Sequence, residues 1–162
     1  MGTWVFTNLS GNDSFKYTSQ TLNEAATYSY NTTTDSLTAS IIDSGNTLPT
    51  VKNIKVISET WTFSTDGSYA INETYATASG STQAVVDTGS WAYVDNAQTN
   101  SGFYLSGTGS NVLSYIVPIM TSTGVYNFKV KGTTMTLSDI QNQYYTSGYT
   151  EGTNITVIFT KQ

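Results

Sequence analysis

The stretch Glu59-Thr60-Trp61-Thr62-Phe63-Ser64-Thr65-Asp66-Gly67-Ser68-Tyr69 reads as strand, tight turn and strand. Trp61 and Phe63 alternate with Thr60, Thr62 and Ser64, and Tyr69, Ile71 and Glu73 continue the alternation on the return arm. This period of two puts successive side chains on opposite faces of a strand. Asp66-Gly67 between the arms is turn chemistry, because Gly takes positive φ without steric cost and Asp tolerates the left-handed region better than most residues. A β-hairpin is expected here, with the rest of the chain arranged around it.

Upstream, residues 51–56 lead into the hairpin, although Val51, Ile54 and Ile57 also match one helical turn. Residues 2–7 form a first strand candidate, followed by a polar turn over 8–13 and further short candidates over 15–20 and 26–30. Tyr28 and Tyr30 share one face, as do Leu37, Ala39 and Ile41 beyond the Asn31-Thr32-Thr33-Thr34-Asp35 loop, and residues 43–49 make a second break. Downstream, candidate strands cover 69–77, 85–94, 102–105, 112–120, 125–131 and 135–137, then an uncertain 141–149. The last strand carries Ile155, Val157 and Phe159 in period two. Pro118 has no backbone donor, so its strand lies at an edge or ends there.

Roughly eight to ten short strands at this spacing, with no convincing amphipathic helix, predict an all-β domain. The expected fold is an antiparallel up-and-down β-barrel of about eight or more strands, with a β-sandwich as the alternative. The whole chain, 1–162, fits one domain, long enough to bury a core without staples. With 38% hydrophobic and only 10% charged residues, disorder driven by charge is not expected. Thirty Thr, twenty Ser and twelve Tyr fill the polar half of the pattern, types that suit a half-exposed pleated surface.

Charge and residue usage exclude several function classes. A net charge of −5 and a pI near 4.3 repel phosphate backbones, so no nucleic-acid partner is expected. The chain has no Arg, which removes the planar two-point clamp on carboxylates and phosphates. It has no His and no Cys, so neither Ser-His-Asp nor Cys-His triads assemble, and zinc loses its usual ligands. No Ser-x-x-Lys or Gly-x-Ser-x-Gly phrase occurs. An enzyme is not expected, nor a cofactor or metal site.

Two carboxylates nevertheless flank the hairpin. Glu59 and Glu73 sit on its two arms, and glycosidase chemistry needs a pair of acids about 5 to 9 Å apart. Charged residues commonly solvate strand ends, so both are expected at an edge or a mouth rather than in a reaction centre. Asp66, Asp95 and Asp139 are read as turn residues capping their own backbone, without the spacing of a calcium loop.

In a soluble protein the apolar face of each strand points inward, which places Trp61, Phe63, Tyr69, Ile71, Trp91, Tyr93, Tyr126, Phe128, Leu137 and Val157 in the interior. An eight-stranded barrel has room either for side chains alone or for one small ligand. The candidate ligand contacts are therefore the inward aromatics Trp61, Phe63, Tyr69, Trp91, Tyr93, Tyr126 and Phe128, with Tyr28 and Tyr30 as a further platform. The same residues also serve as core packing, and Trp4 is expected to close one barrel end.

Three Trp phrases recur in order: Gly2-Thr3-Trp4, Glu59-Thr60-Trp61-Thr62-Phe63 and Gly89-Ser90-Trp91-Ala92-Tyr93. With Asp66-Gly67-Ser68-Tyr69 after the second phrase and residues 126–137 near the end, they resemble the lipocalin-like domain lipoproteins of Bacteroides-type bacteria. The likeness covers residues 1–8 and 58–162, while 9–57 match only as generic strands. It implies an up-and-down calycin barrel, exported and held by lipid at the outer membrane or periplasmic face. The first residues show no basic start followed by an apolar core. Export is thus expected to depend on a segment ahead of residue 1, with Met1 an added start and any membrane contact made only through the lipid anchor. The Arg that packs over the first-strand Trp in lipocalins has no counterpart beyond Lys161, and a fatty-acid carboxylate clamp cannot form without Arg. A small neutral or amphipathic ligand is therefore favoured. The alternative from another class is a surface carbohydrate-binding or protein-interaction β-sandwich module using exposed Tyr.

Overall fold

The computed structural model describes residues 1–17, 23–43, 48, 50–96, 100–107, 124–145 and 149–162. Among the described residues, ten antiparallel strands close into a barrel: β1 (Gly2–Tyr17), β2 (Asn23–Asn31), β3 (Ser36–Asp43), β4 (Thr50–Phe63), β5 (Ser68–Thr77), β6 (Thr82–Asn96), β7 (Asn100–Gly107), β8 (Gly124–Lys131), β9 (Thr134–Tyr145) and β10 (Tyr149–Lys161). Consecutive strands are neighbours, and β1 completes the ring by pairing with both β2 and β10. The fold is a closed barrel and not a sandwich of two sheets. The candidate strand over 112–120, including Pro118, lies outside the described residues.

The barrel is forked. Gly2 to Val5 of β1 pair directly with Phe63 to Thr60 of β4, whereas beyond Ser10 the neighbour of β1 is β2, and the first part of β4 pairs with β3. The β2–β3 hairpin is thus wedged between β1 and β4, so the ring has eight strands at the Trp4 end and ten at the other. The register shifts between Phe6 and Asn8 on β1 and between Val56 and Ser58 on β4, where the two strands part. An extra residue in one strand bends it and increases its twist, which opens the fork.

Each bulge also switches which residues face inward. On β4, Ile54 and Val56 are buried before the bulge, and Glu59, Trp61 and Phe63 after it. On β1 the buried set changes from Trp4 and Phe6 to Leu9. Residues 50–63 form one continuous strand, so the helical alternative for Val51, Ile54 and Ile57 is corrected: Val51 and Ile57 lie on the exposed face. The hairpin tip fills the fork through a hydrogen bond from the Val56 amide to the Asp35 carbonyl of 2.8 Å, and Tyr30 packs edge-on against Phe6 with ring centroids 4.8 Å apart.

Gly67 has φ +83 in the opening hairpin, where Asp66 Oδ1 accepts bonds from the amide and hydroxyl of Ser68. The Ser68 hydroxyl and amide hold the Asp66 carboxyl below the usual range. Asp95 and Asp139, expected in turns, belong instead to the backbones of β6 and β9. At Gly11, where β1 crosses β10 at φ +156, a Cβ would stand 2.6 Å from the Ile155 Cα, so only glycine lets these backbones approach so closely.

Inside, Trp4, Phe6, Leu9, Tyr28, Leu37 and Ala39 meet Trp61, Ile71, Leu105, Leu137, Val157 and Phe159 in one core. Burial of such side chains stabilises by roughly 1.5–3 kcal/mol each. Trp61 lies at its centre, with its ring 5.0 Å from Phe159 and 6.4 Å from Phe63.

Candidate functional site

At the eight-stranded end the barrel opens into an apolar cleft of about 280 Å³ bordered by Met1, Trp4, Phe63, Trp91, Tyr93, Val130 and Met135. Strand alternation explains the lining. Phe63 ends β4, Trp91 and Tyr93 continue the inward face of β6, and Val130 pairs with Met135 across β8 and β9. Where the ring opens, inward residues no longer meet a partner across the core, so Tyr93 is 56% exposed and Val130 48% although both face inward by parity.

Trp91 is fixed on three sides. Its indole N–H donates to the Ser64 carbonyl at 3.1 Å, its amide donates to the Gly67 carbonyl at 2.7 Å, and Phe63 meets its ring edge-on at 5.7 Å. The opening hairpin therefore acts as the splint for this wall. Rings held rigidly in an open apolar cleft present binding area at little entropic cost.

The candidate ligand contacts separate into groups. Phe63, Trp91 and Tyr93 border the cleft. Trp61, Tyr69 and Tyr28 are buried in the core and do not border it, and Tyr30 is half-buried at the fork. There the Tyr30 hydroxyl donates to Asp35 Oδ1 at 3.0 Å, and its pKa is pushed up to about 12, first by burial and then by that bond and charge. The side chains of Tyr126 and Phe128 lie outside the described residues, as do those of Tyr144, Tyr145 and Tyr149. Trp4, Val130 and Met135 were not among the candidates, though the alternation around Phe159 and Leu137 extends to Met135 and Val130 through the β8–β9 turn.

Beneath the cleft lies a second feature. Glu59, Glu73 and Asp87 are each only 2% exposed, which corrects the expectation that Glu59 and Glu73 solvate an edge or a mouth. The β4 bulge turns Glu59 inward, and the register sets it directly opposite Glu73. Glu59 Oε1 accepts from the Trp61 indole N–H at 2.8 Å, and no hydrogen bond reaches Oε2 among the described residues. Burial pushes the Glu59 carboxyl up to about 8, against the opposing pull of the Trp61 bond. On β6, Asp87 Oδ2 accepts from the Tyr69 hydroxyl at 3.0 Å. Burial and then this bond raise the Tyr69 pKa well above its ordinary value. Asp87 had a signal in the sequence: counting back by two from Trp91 passes Gly89 and reaches it.

Among the described residues no group of three His, Cys, Asp or Glu side chains converges on a metal-sized site. Lys52, Lys55, Lys129, Lys131 and Lys161 are all exposed, so none of them neutralises the interior acids. Lys161 stands opposite Trp4 in the ladder, with its Cε 3.2 Å from where a Cβ on Gly2 would be.

No protein-family model matches this chain, and no curated protein or solved structure matches it either.

Proposed function

We propose that this chain is a non-enzymatic, lipocalin-like binding barrel that takes a small neutral or amphipathic molecule into its eight-stranded mouth. The observation that carries this reading is the apolar cleft of about 280 Å³ framed by Trp4, Phe63, Trp91 and Met135. Its volume falls just below the roughly 300–1,000 Å³ of ordinary small-molecule sites, which favours a small ligand. Its lining side chains are uncharged and mostly apolar, which favours a neutral or amphipathic occupant. The absence of His and Cys from the sequence supports a carrier over a catalyst. The three Trp phrases support export and lipid anchoring at the outer membrane or periplasmic face, as in the proteins they resemble.

The 56% exposure of Tyr93 beside Trp91 favours a second reading, in which the apolar face of a sugar stacks on these two rings at the rim. Titration with the neutral dye Nile red and with a panel of neutral glycans separates the two. The first reading expects saturable dye binding accompanied by a change in Trp emission, with Trp91→Ala weakening it about tenfold, or about 1.4 kcal/mol. Glycan binding without dye binding would replace it with the second. Silence toward both, or dye binding indifferent to Trp91→Ala, would remove the proposal.

A further inference from the structure

The acids under the mouth have a use that ligand binding does not require. Glu59 and Glu73 face one another across the β4–β5 ladder, both 2% exposed, and directly opposed residues in an antiparallel pair have Cβ atoms about 4.5–5.5 Å apart. Two carboxylates on such neighbouring positions in a dry interior cannot both ionise cheaply. Glu59 Oε2, which no described donor reaches, needs either a proton or a proton-bearing neighbour.

Among the described residues no cation is buried with the pair. The inward titratable groups are Tyr69, Tyr75 and Glu73 on β5, Asp87 and, at the open mouth, Tyr93 on β6, and Tyr28 and Tyr30 on β2. Asp35 at the β2–β3 tip is held through Tyr30. The described buried side chains of β1, β3, β7, β9 and β10 are apolar: Trp4, Phe6 and Leu9, then Leu37 and Ala39, Leu105, Met135 and Leu137, and Ile155, Val157 and Phe159, while Lys161 continues the inward parity of β10 to the exposed mouth beside Trp4. Every ionisable group buried or half-buried in the described core is thus an acid or a phenol.

We propose that Glu59 and Glu73 share a proton across the β4–β5 ladder and that its release loosens the barrel beside the fork, making the fold a proton-responsive device. With the proton in place, one carboxyl donates to the other and the ladder stays closed. When the proton leaves for solvent, two like charges face each other next to the β4 bulge, where the strand already lacks regular pairing. The Trp61 indole, bonded to Glu59 Oε1 and packed on Phe63, reports the change toward the mouth. The proposal does not depend on the mouth having a ligand.

Thermal unfolding followed from pH 4.5 to about 8 tests it on the intact chain. The variants E59Q, E73Q and the double variant keep the side-chain shape, and the amide that E59Q introduces retains an acceptor for Trp61. The wild-type Tm should fall as the pH rises through this window. Each single variant should make the fall smaller and level it off at lower pH, because the remaining carboxyl then ionises in the fold without a facing charge, and the double variant should lose it. A flat wild-type profile, or single variants that leave the fall in place, would overturn the proposal. If the variants do not fold, infrared spectroscopy of the wild type decides. A protonated-carboxyl band should persist midway through the window and vanish above it, and its absence there would refute the shared proton.

Discussion

The inner face of β4, β5 and β6 changes character over one or two inward positions. At the mouth, Phe63 and Trp91 are apolar and Tyr93 is open to solvent, whereas one layer deeper Glu59, Glu73 and Asp87 are acidic and sealed. This inverts the usual distribution, in which acids are almost never fully buried unless paired. Wet apolar surface is unfavourable by about 25 cal/mol per Å², which covering by an apolar molecule recovers. Dry carboxyls are costly when charged and tolerable when protonated. The two layers are therefore tuned to different partners, an apolar molecule above and a proton below, with Trp61 joined to both.

The largest expected effect breaks the lower layer. The Glu59 pKa of about 8 in the fold lies above the ordinary 4.5, so both states are protonated below pH 4.5 and stability is fully present there. Between 4.5 and about 8 the unfolded chain ionises while the fold keeps its proton, so stability falls as the pH rises and levels off above the folded value. At 1.36 kcal/mol per pKa unit the loss is on the order of 5 kcal/mol, which urea denaturation at a series of pH values measures. An unfolding free energy independent of pH would show that the acids are not held dry.

Trp61→Ala comes next, because it cuts the link between the layers. It should cost about 3–5 kcal/mol for the emptied core and the lost partner of Glu59, read by the same denaturation at pH 5. Tyr69→Phe leaves the ring and removes the hydroxyl that donates to Asp87, for an expected loss of about 1–2 kcal/mol. A loss under half of that lower figure would mean that this bond contributes little. Smallest in stability is Tyr93→Ala, expected within about 0.5 kcal/mol of wild type since the ring is exposed. The same variant should weaken Nile red binding about tenfold, so the two layers respond to different assays.

The closed barrel was legible because period-two alternation is strong wherever one face is buried. Trp61, Phe63, Tyr69 and Ile71 follow directly from it, as do Ile155, Val157 and Phe159. The fork was not legible. A bulge is one extra residue with no side-chain signature of its own, and it hid the continuity of β4 behind the misleading helical spacing of Val51, Ile54 and Ile57. It also concealed the fate of Glu59, whose inward orientation depends on that shift. Glu73 follows the plain parity of Tyr69 and Ile71, yet the general preference of acids for water outweighed the pattern. At the mouth, the aromatic walls on β4 and β6 were readable, whereas Met135 and Val130 required knowing which end of the barrel opens.

The most direct test of the binding reading is methyl NMR of the protein labelled at Met, Val and Ile during titration with Nile red. Met135 and Val130, which border the cleft, should shift with a common saturation curve, while Val86 and Ile57 on the outer wall stay unmoved. Shifts confined to Val86 and Ile57, or no saturable shift at Met135 and Val130, would contradict a ligand-binding mouth.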